Sequence, residues 1–311
     1  MTAPPPAPDL PPGELVDVGG RHLFVRCAGA GTPTVILLGG TGGFSPTWAL
    51  VQPHVAALTR VCSYDRAGYG RSDPLPEGID PTADAAERDL HALLHARGIP
   101  GPYVLVAHAL ASFPARLFAA RHADEVAGLV LLDPSHEDEW TDRFPPEHRR
   151  GLGLVYRMVG LVAALAHVGI PQAMARLRPP ANLRRLPPDA RAEALTALRP
   201  RTLRTVAAEF RHAEAGAAQV RAEARPFGAL PVVVVMRGRP ERRPPGVSRQ
   251  VGARIDEVNA RAQAELAATS SAGRLVTAPA AGRDIPLEAP EIVVEAIREV
   301  VEAARTGRAP G

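Results

Sequence analysis

The sequence predicts an α/β protein with a mostly parallel central sheet flanked by helices. Short apolar segments alternate with helical ones along most of the chain, the pattern of a sheet covered on both faces. A long helical, proline-punctuated stretch interrupts this alternation between 137 and 228, and an amphipathic helix closes the chain. The stretch is too long for an ordinary strand connection. We therefore expect one core with a helical cap inserted over the strand ends.

The predicted strands are short apolar runs bounded by glycine, proline or other turn residues. The first two, ELVDVGG and RHLFVRCAG, are joined at Gly19 and Gly20. The later ones are TVILLGG, RVCSYDRAG, YVLVAHALA, GLVLLDPSH, LPVVVVMRG and RLVTAP. Helices are expected over 84–97, over SFPARLFAARH and over PEIVVEAIREVVEAAR.

The first residues are rich in proline and are not expected to belong to the folded core. Residues 1–13, MTAPPPAPDLPPG, favour a disordered polyproline-like tail and lack the apolar run of a secretory signal. The predicted core comprises 14–136 and 229–311, and the predicted cap comprises 137–228.

The composition of the chain indicates which partners and which cellular compartment to expect. The net charge is only +3, every basic residue is arginine, and aromatic residues make up 4% of the chain. Nucleic-acid binding, which favours clustered bases interleaved with aromatics, is therefore not expected. Cys27 and Cys62 lie in apolar runs and are interpreted as small buried residues rather than a disulfide framework. This pattern suits a reducing compartment, so the cytoplasm is predicted.

One segment approaches the length of a membrane span. Residues 152–170, LGLVYRMVGLVAALAHVGI, are strongly apolar but include Arg157 and His167. A charge inside a lone span costs a few kcal/mol, so no membrane insertion is expected. We interpret the segment as an apolar helix lying over a pocket.

Four motifs occur in a fixed order along the chain: GGTGG at 39–43, YDRAGYG at 64–70, AHALAS at 107–112 and LLDPSH at 131–136. Together they resemble the α/β-hydrolase superfamily, and closely a bacterial subgroup with YDRAGYG, G-H-S-L-G-G and LVLLDPSH segments. The resemblance covers nearly everything after the tail. It implies the α/β-hydrolase fold, and Arg66 in the second motif is expected to tie loops together.

The third motif departs from the family at the residue that carries the chemistry. The family places a nucleophilic serine on a tight strand-to-helix turn flanked by glycines, whereas this chain has Ala109 there, with Ala107 and Ala111 beside it. Ser112 follows within the next helical turn, where a serine is more often a capping or space-filling group than a displaced nucleophile.

The position of the family's catalytic histidine also differs. Arg283 falls on it, and a guanidinium cannot accept a proton near neutral pH. Asp133 matches one of the family's two acid positions, and Glu241 lies near the other. Loss of the serine or histidine of such a triad costs on the order of a million-fold in turnover. Serine-type hydrolysis is therefore not expected.

Three functions stay open at this point. The first is a repurposed non-hydrolytic enzyme of lyase, isomerase or cyclase type, acting on an apolar, anionic small molecule or acyl intermediate of specialised metabolism. The second is a non-catalytic pseudo-hydrolase that binds a ligand or partner, and the third is a hydrolase that uses another residue. The candidate site residues are the side chains of Asp133, Arg283, His136 and His108, and the backbone N–H groups of Thr41 and Leu110 as oxyanion-type donors.

No cofactor or metal is expected, because His and Cys do not cluster at ligand spacing and no phosphate loop or dinucleotide fingerprint occurs. The predicted cap is basic. Residues 174–205 contain eight arginines and only two acidic residues, Asp189 and Glu193. This excess favours an anionic substrate or an acidic carrier protein, unless it is simply a solvated helix face. The apolar residues 152–170 are predicted to supply the pocket wall beneath it.

Overall fold

The computed structural model describes residues 10–240, 247–307 and 309–310. Its centre is one eight-stranded sheet with the strand order β1-β2-β4-β3-β5-β6-β7-β8. β1, β2 and β4 pair antiparallel, and the pairs from β4 through β3 to β8 are parallel. The strands are β1 (Glu14–Asp17), β2 (His22–Ala28), β3 (Thr34–Leu38), β4 (Val61–Tyr64), β5 (Tyr103–His108), β6 (Val126–Leu132), β7 (Val232–Arg237) and β8 (Gly273–Ala278).

Helices cover both faces of this sheet and fill the long segment between β6 and β7. They are α1 (Gln52–Ala56), α2 (Ala83–Arg97), α3 (Ser112–Arg121), α4 (Pro146–Leu165), α5 (Ile170–Leu177), α6 (Pro188–Ala194), α7 (Pro200–Glu223), α8 (Arg249–Ala267), α9 (Ile285–Glu288) and α10 (Pro290–Thr306). The α/β class and the mostly parallel sheet predicted from the sequence are confirmed.

Local signals explain where the long helices begin and end. Thr82 caps α2, because its hydroxyl accepts a hydrogen bond from the Ala85 N–H. α2 ends at Gly98, whose φ of 63° lies in the left-handed region that glycine adopts without strain. The sequence prediction missed α8, which begins after Ser248; that hydroxyl accepts from the Val251 N–H.

The core has two layers, one on each side of the sheet. One layer packs side chains of α2, α3 and α8 against the sheet, and the other packs α1 and α10 against its opposite face. Strands β3, β5, β6 and β7 lie between them and are apolar at nearly every position, as buried parallel strands must be. This arrangement fixes the strand ends on which the candidate site is built.

The two cysteines form a disulfide, which corrects the expectation that they are separate buried thiols. Cys27 on β2 and Cys62 on β4 are register partners in an antiparallel pair, and their Cα atoms are 4.1 Å apart. The sequence separation of 35 residues gave no sign of this, because only the pairing of β2 with β4 brings the two positions together. The cysteine argument for a reducing compartment therefore no longer holds.

Candidate functional site

The strand-to-helix turn after β5 has the geometry of a nucleophile elbow without a nucleophile. Ala109 has a φ of 50°, in the left-handed region that costs a non-glycine residue about 1–2 kcal/mol. The chain thus has the tight strand-to-helix turn that the resemblance implies. A short 3₁₀-helix (Ala109–Ala111) and α3 follow at once, so the chain must reverse sharply here. The Ala109 side chain presents only a methyl group at the top of the turn.

Ser112 is not exposed at this turn. Its hydroxyl is buried and donates to the carbonyl oxygen of Ser135 at 3.1 Å. The N–H of Ser135 in turn donates to the carbonyl of Ala109 at 3.2 Å. The side chain therefore joins the elbow to the segment after β6, which agrees with its interpretation as a space-filling group.

A cavity of about 230 Å³ opens beside the elbow. It lies between the glycine turn after β3, the end of β5, the start of α9 and the cap. Its volume is just below the roughly 300–1,000 Å³ of typical ligand pockets, so it suits a small molecule. Its wall is mostly apolar, with a few polar groups contributed by Thr41, Thr47, His108, Asn182 and Asp284.

His108 lines this cavity and has one ring nitrogen engaged in a hydrogen bond. Its Nε2 lies 2.8 Å from the carbonyl oxygen of Arg283, and since a carbonyl can only accept, Nε2 carries the proton. In the described part of the chain, Nδ1 has no hydrogen-bond partner. Burial lowers the pKa of His108, and the charges of Asp284 and Asp133 oppose this shift without reversing it. The imidazole is therefore a neutral base with its lone pair on Nδ1.

Two further polar groups accompany His108 in the cavity wall. Asp284 accepts a hydrogen bond from the Asn182 side chain at 3.1 Å, which links α9 to the cap. Thr41 has a buried hydroxyl without a hydrogen-bond partner. Its backbone N–H donates to no acceptor among the described residues. Thr41 therefore offers two unsatisfied groups next to the cavity.

The second backbone donor predicted from the sequence lies next to a smaller space. Leu110 and Thr41 together line a cavity of about 30 Å³ on the other side of the glycine turn, below helix α7. Leu110 belongs to the first turn of a 3₁₀-helix, where N–H groups have no partner within the helix. Thr41 thus lies between the two cavities, whereas Leu110 borders only the smaller one.

Asp133 is held inside an ion pair. Its carboxylate is 2% exposed and accepts two bonds from one nitrogen of Arg237, at 2.7 and 2.9 Å. Gln263 donates a third at 3.1 Å, and Arg237 also lies 3.6 Å from Asp256. The residue that holds its carboxylate is thus Arg237 on the adjacent strand.

The space between Asp133 and Arg283 is too small for a ligand. Both line a cavity of about 10 Å³, room for roughly one water molecule. Glu139 and His148 line it too. Burial alone would raise the pKa of Glu139, but His148 and the charge of Arg283 bring it below its usual range. Glu241, the alternative acid, lies outside the described residues.

His136 lines neither the 230 Å³ cavity nor the small space between Asp133 and Arg283. Its Nδ1 accepts from the Asp138 N–H at 3.1 Å and its own N–H donates to Glu139 at 2.9 Å. It therefore caps the short 3₁₀-helix (Glu137–Trp140) that begins the cap. Burial lowers the pKa of His136.

Arg66 connects the cap to the glycine turn, as the sequence predicted for a structural arginine. Its guanidinium bonds to both carboxylate oxygens of Glu209 on α7, at 2.7 and 2.9 Å, and to the Gly39 carbonyl. Tyr69 donates to Glu209 at 2.8 Å and accepts from the Gly42 N–H at 3.2 Å. One buried network thus fixes α7 over the turn that borders the cavity.

The structure also brings together a histidine cluster that sequence spacing did not reveal. Nitrogen and oxygen atoms of His91, His122 and Glu125 lie within 4.8 Å of one another, and Glu87 holds the other nitrogen of His122 at 2.9 Å. These ligand types suit Zn²⁺. The His91 and His122 rings stack with centroids 4.0 Å apart, so they would have to turn before both nitrogens faced one ion.

The apolar segment 152–170 does not form the wall of the cavity, contrary to expectation. None of its residues borders the 230 Å³ cavity, whose cap side comes from residues 180–197. The helical segment Pro146–Val168 is long and apolar enough to cross a membrane, and 17% of its most apolar window is buried. Much of its apolar surface faces solvent.

Comparison with known proteins agrees with this geometry. Residues 33–149 match the family model described as the α/β hydrolase fold. An esterase from Thermogutta terrifontis superposes with a TM-score of 0.67 at 22% identity, covering 95% of this chain and 100% of the esterase. A provisionally assigned epoxide hydrolase from Pseudomonas aeruginosa gives a TM-score of 0.72 at 21% identity, covering 96% and 99%. The described chain therefore has the α/β-hydrolase fold, and residues 33–149 match the family's sequence model.

Similarity in sequence to three relatives is confined to part of the chain. Lipase LipV of Mycobacterium tuberculosis is 34% identical over 110 residues, 35% of this chain and 40% of the lipase. YqjL of Bacillus subtilis is 31% identical over 119 residues, 38% of this chain and 46% of that protein. An uncharacterised vacuolar membrane protein of Saccharomyces cerevisiae is 37% identical over 98 residues, 32% of this chain and 15% of its own length. The chain thus spans less than half of each relative.

Proposed function

We propose that this protein is a non-hydrolytic enzyme that moves a proton on a small carbonyl compound bound in the cavity beside Ala109. The observation that carries the proposal is His108, a neutral imidazole with a single free nitrogen in a ligand-sized cavity. A neutral imidazole is the side chain best suited to accept a proton near neutral pH.

The proposed reaction begins with removal of a proton from the carbon next to the carbonyl group. His108 Nδ1 takes this proton, and the electron pair of the broken C–H bond moves to the carbonyl oxygen to give an enolate. The backbone N–H of Thr41, a residue of the cavity wall, is the donor proposed for that oxygen. If a C=C bond is conjugated with the enolate, return of the proton from Nδ1 to the far end of that system completes an isomerisation. If the β-carbon carries a leaving group, the electron pair forms the new C=C bond, the group departs, and the Nδ1 proton passes to it, which completes an elimination.

Serine-type hydrolysis has no support at the same site. Ala109 offers no oxygen, and the hydroxyl of Ser112 is already bonded to a backbone carbonyl. In such an enzyme the remaining oxyanion donors give only about 10³ to 10⁴ over the reaction in water. The fold relationship to an esterase and a lipase therefore does not carry their chemistry to this chain. We expect purified protein to leave short and medium p-nitrophenyl esters unhydrolysed, with no labelling by a fluorophosphonate.

The proton-transfer proposal can be tested without the native substrate. A panel of small ketones, β-keto acids and thioesters is incubated with the protein in D₂O, and deuterium uptake next to the carbonyl is followed by NMR. We expect uptake in at least one compound, and a loss of at least tenfold in His108→Gln. His54→Gln changes an exposed histidine on α1 and serves as the matched control. Uptake that is equal in both variants would contradict the role of His108.

A second candidate function is ligand binding without catalysis. The immobilised carboxylate of Asp133 favours it, since this retained acid position is closed off by Arg237 and Gln263. Compounds from the same panel that shift the cavity resonances without deuterium uptake would support this candidate. The ligand is expected to be small and largely apolar, and delivery by an acidic carrier protein at the basic cap stays a prediction. Cytoplasmic location also stays a prediction, without the cysteine argument that first supported it.

A further inference from the structure

The cap carries an exposed apolar surface that its packing does not explain. Eight of the ten exposed large hydrophobic residues in the described part of the chain lie between 154 and 177. We call these eight residues of α4, α5 and the turn between them the cap ridge. They are Leu154, Val155, Met158, Leu161, Val168, Ile170, Met174 and Leu177.

The ridge is the second apolar face of a helix that already has a buried one. On its inner side α4 packs against α7, where Tyr156 stacks on Phe210 at 4.9 Å and Ala163 is buried. On its outer side Met158 is 58% and Leu161 60% exposed. A surface helix in water normally carries polar residues on that side. The outer face therefore suits an apolar or interfacial environment.

Free positive charge surrounds the ridge. Residues 146–185 contain seven arginines and one carboxylate, Glu147. No carboxylate of the described residues lies within 4.0 Å of the guanidinium groups of four of these arginines. They are Arg157, Arg176, Arg178 and Arg184.

We propose that the cap ridge docks the protein on the surface of an anionic lipid membrane. Apolar side chains flanked by arginines are the pattern of interfacial helices, in which the side chains enter the headgroup region while the basic groups meet lipid phosphates. A symmetric dimer through the same ridge would bring two arginine-rich surfaces together, so charge disfavours self-association. A membrane-spanning position of α4 is disfavoured, because the helix would have to lose its packing against α7.

The exposed apolar side chains of the cap ridge favour a lipid surface over an acidic protein as the partner. An acidic protein would be bound by the arginines and needs no row of exposed side chains between them. Leu177 is 89% and Val168 73% exposed, and both project where only an apolar phase gives a favourable environment. The lipid surface accounts for the apolar and the basic residues together.

The test is flotation of the full chain with vesicles of phosphatidylcholine, with and without 30 mol% phosphatidylserine. We expect binding to the anionic vesicles that weakens when NaCl rises from 0.1 to 0.5 M. The variant Met158→Ser/Leu161→Ser/Met174→Ser/Leu177→Ser should bind at least tenfold more weakly. Leu15→Ser/Ile79→Ser changes the two exposed hydrophobic residues outside the ridge and is the matched control. Thermal unfolding verifies that all variants fold.

Several outcomes would overturn the proposal. Absence of binding to anionic vesicles is one, and binding by the serine variant equal to that of the control is another. A dimer seen by analytical ultracentrifugation, lost in the serine variant and accompanied by no vesicle binding, would assign the ridge to self-association. Loss of binding in Arg176→Gln/Arg178→Gln with no effect of the serine variant would indicate a purely electrostatic partner, such as an acidic protein.

Discussion

Two neighbouring regions at the strand ends have opposite characters. Around Asp133 every bond of the carboxylate is made within the protein, and the adjoining space holds roughly one water molecule. Beside the elbow, by contrast, a cavity of about 230 Å³ is lined by His108 and Thr41, each of which has an unsatisfied polar group. The comparison shows that an acidic residue at a family position can be fully engaged within the protein, whereas the open space lies beside polar groups that have no partner.

The largest expected effect is a loss of stability when the buried ion pair around Asp133 is disrupted. Asp133→Ala removes a carboxylate bonded to the buried Arg237, and loss of one partner of a buried ion pair costs about 3–5 kcal/mol. The free energy of unfolding, measured in urea, should fall by this amount. Asp133→Leu with Arg237→Met should recover most of it, because neither member of the buried pair is then left alone and Asp256, the other acid near Arg237, is partly exposed to water. A single variant as stable as wild type would show that the pair contributes little.

A second comparison uses two buried hydroxyls, one on each side of the elbow. Ser112→Ala removes a bonded hydroxyl and leaves the Ser135 carbonyl without it, which should cost about 1–3 kcal/mol. Thr41→Val removes a hydroxyl that has no partner, so stability should be unchanged or higher. Urea unfolding of both variants measures the difference. Equal losses would mean that the Thr41 hydroxyl is satisfied in solution.

A third comparison concerns the strained backbone. Ala109→Gly relieves a φ of 50°, which offsets the entropic cost of glycine, and should leave stability within about 0.5 kcal/mol of wild type. Ala107→Gly, two residues earlier and buried in β5, gains no such relief and should lose about 1 kcal/mol. Thermal or urea unfolding of the two variants measures this difference in stability. Equal losses in both variants would argue against strain at the elbow.

The smallest expected effect is on the pH dependence of stability. Burial lowers the pKa of His108, so below about pH 6.5 the unfolded state binds more protons than the folded state. The free energy of unfolding should therefore fall as the pH drops from 7.5 to 5. His108→Gln should reduce this slope, and the remainder includes His136, whose pKa is shifted in the same direction. An unchanged slope would place a protonated His108 in the folded state.

The sequence by itself determined the sheet, most helices and the elbow. Apolar runs of strand length and the periodicity of α10 are local signals, and the YDRAGYG segment correctly indicated a structural Arg66. The sequence also identified the position of Ala109, because the identity of the residue alone shows that the nucleophile's hydroxyl is absent. α8 was missed, although Ser248 before it is an N-cap signal.

Only the tertiary structure decided which of these residues meet. The partner of Asp133 is Arg237 rather than Arg283, and Cys27 faces Cys62, because strand order and register bring together positions far apart in sequence. The apolar segment 152–170 was taken for a pocket wall, since hydropathy records how apolar a helix is but not which side is covered. Packing of α4 on α7 uses one side and leaves the other to solvent. Pairwise contacts of this kind depend on the folded arrangement and leave no mark in local sequence.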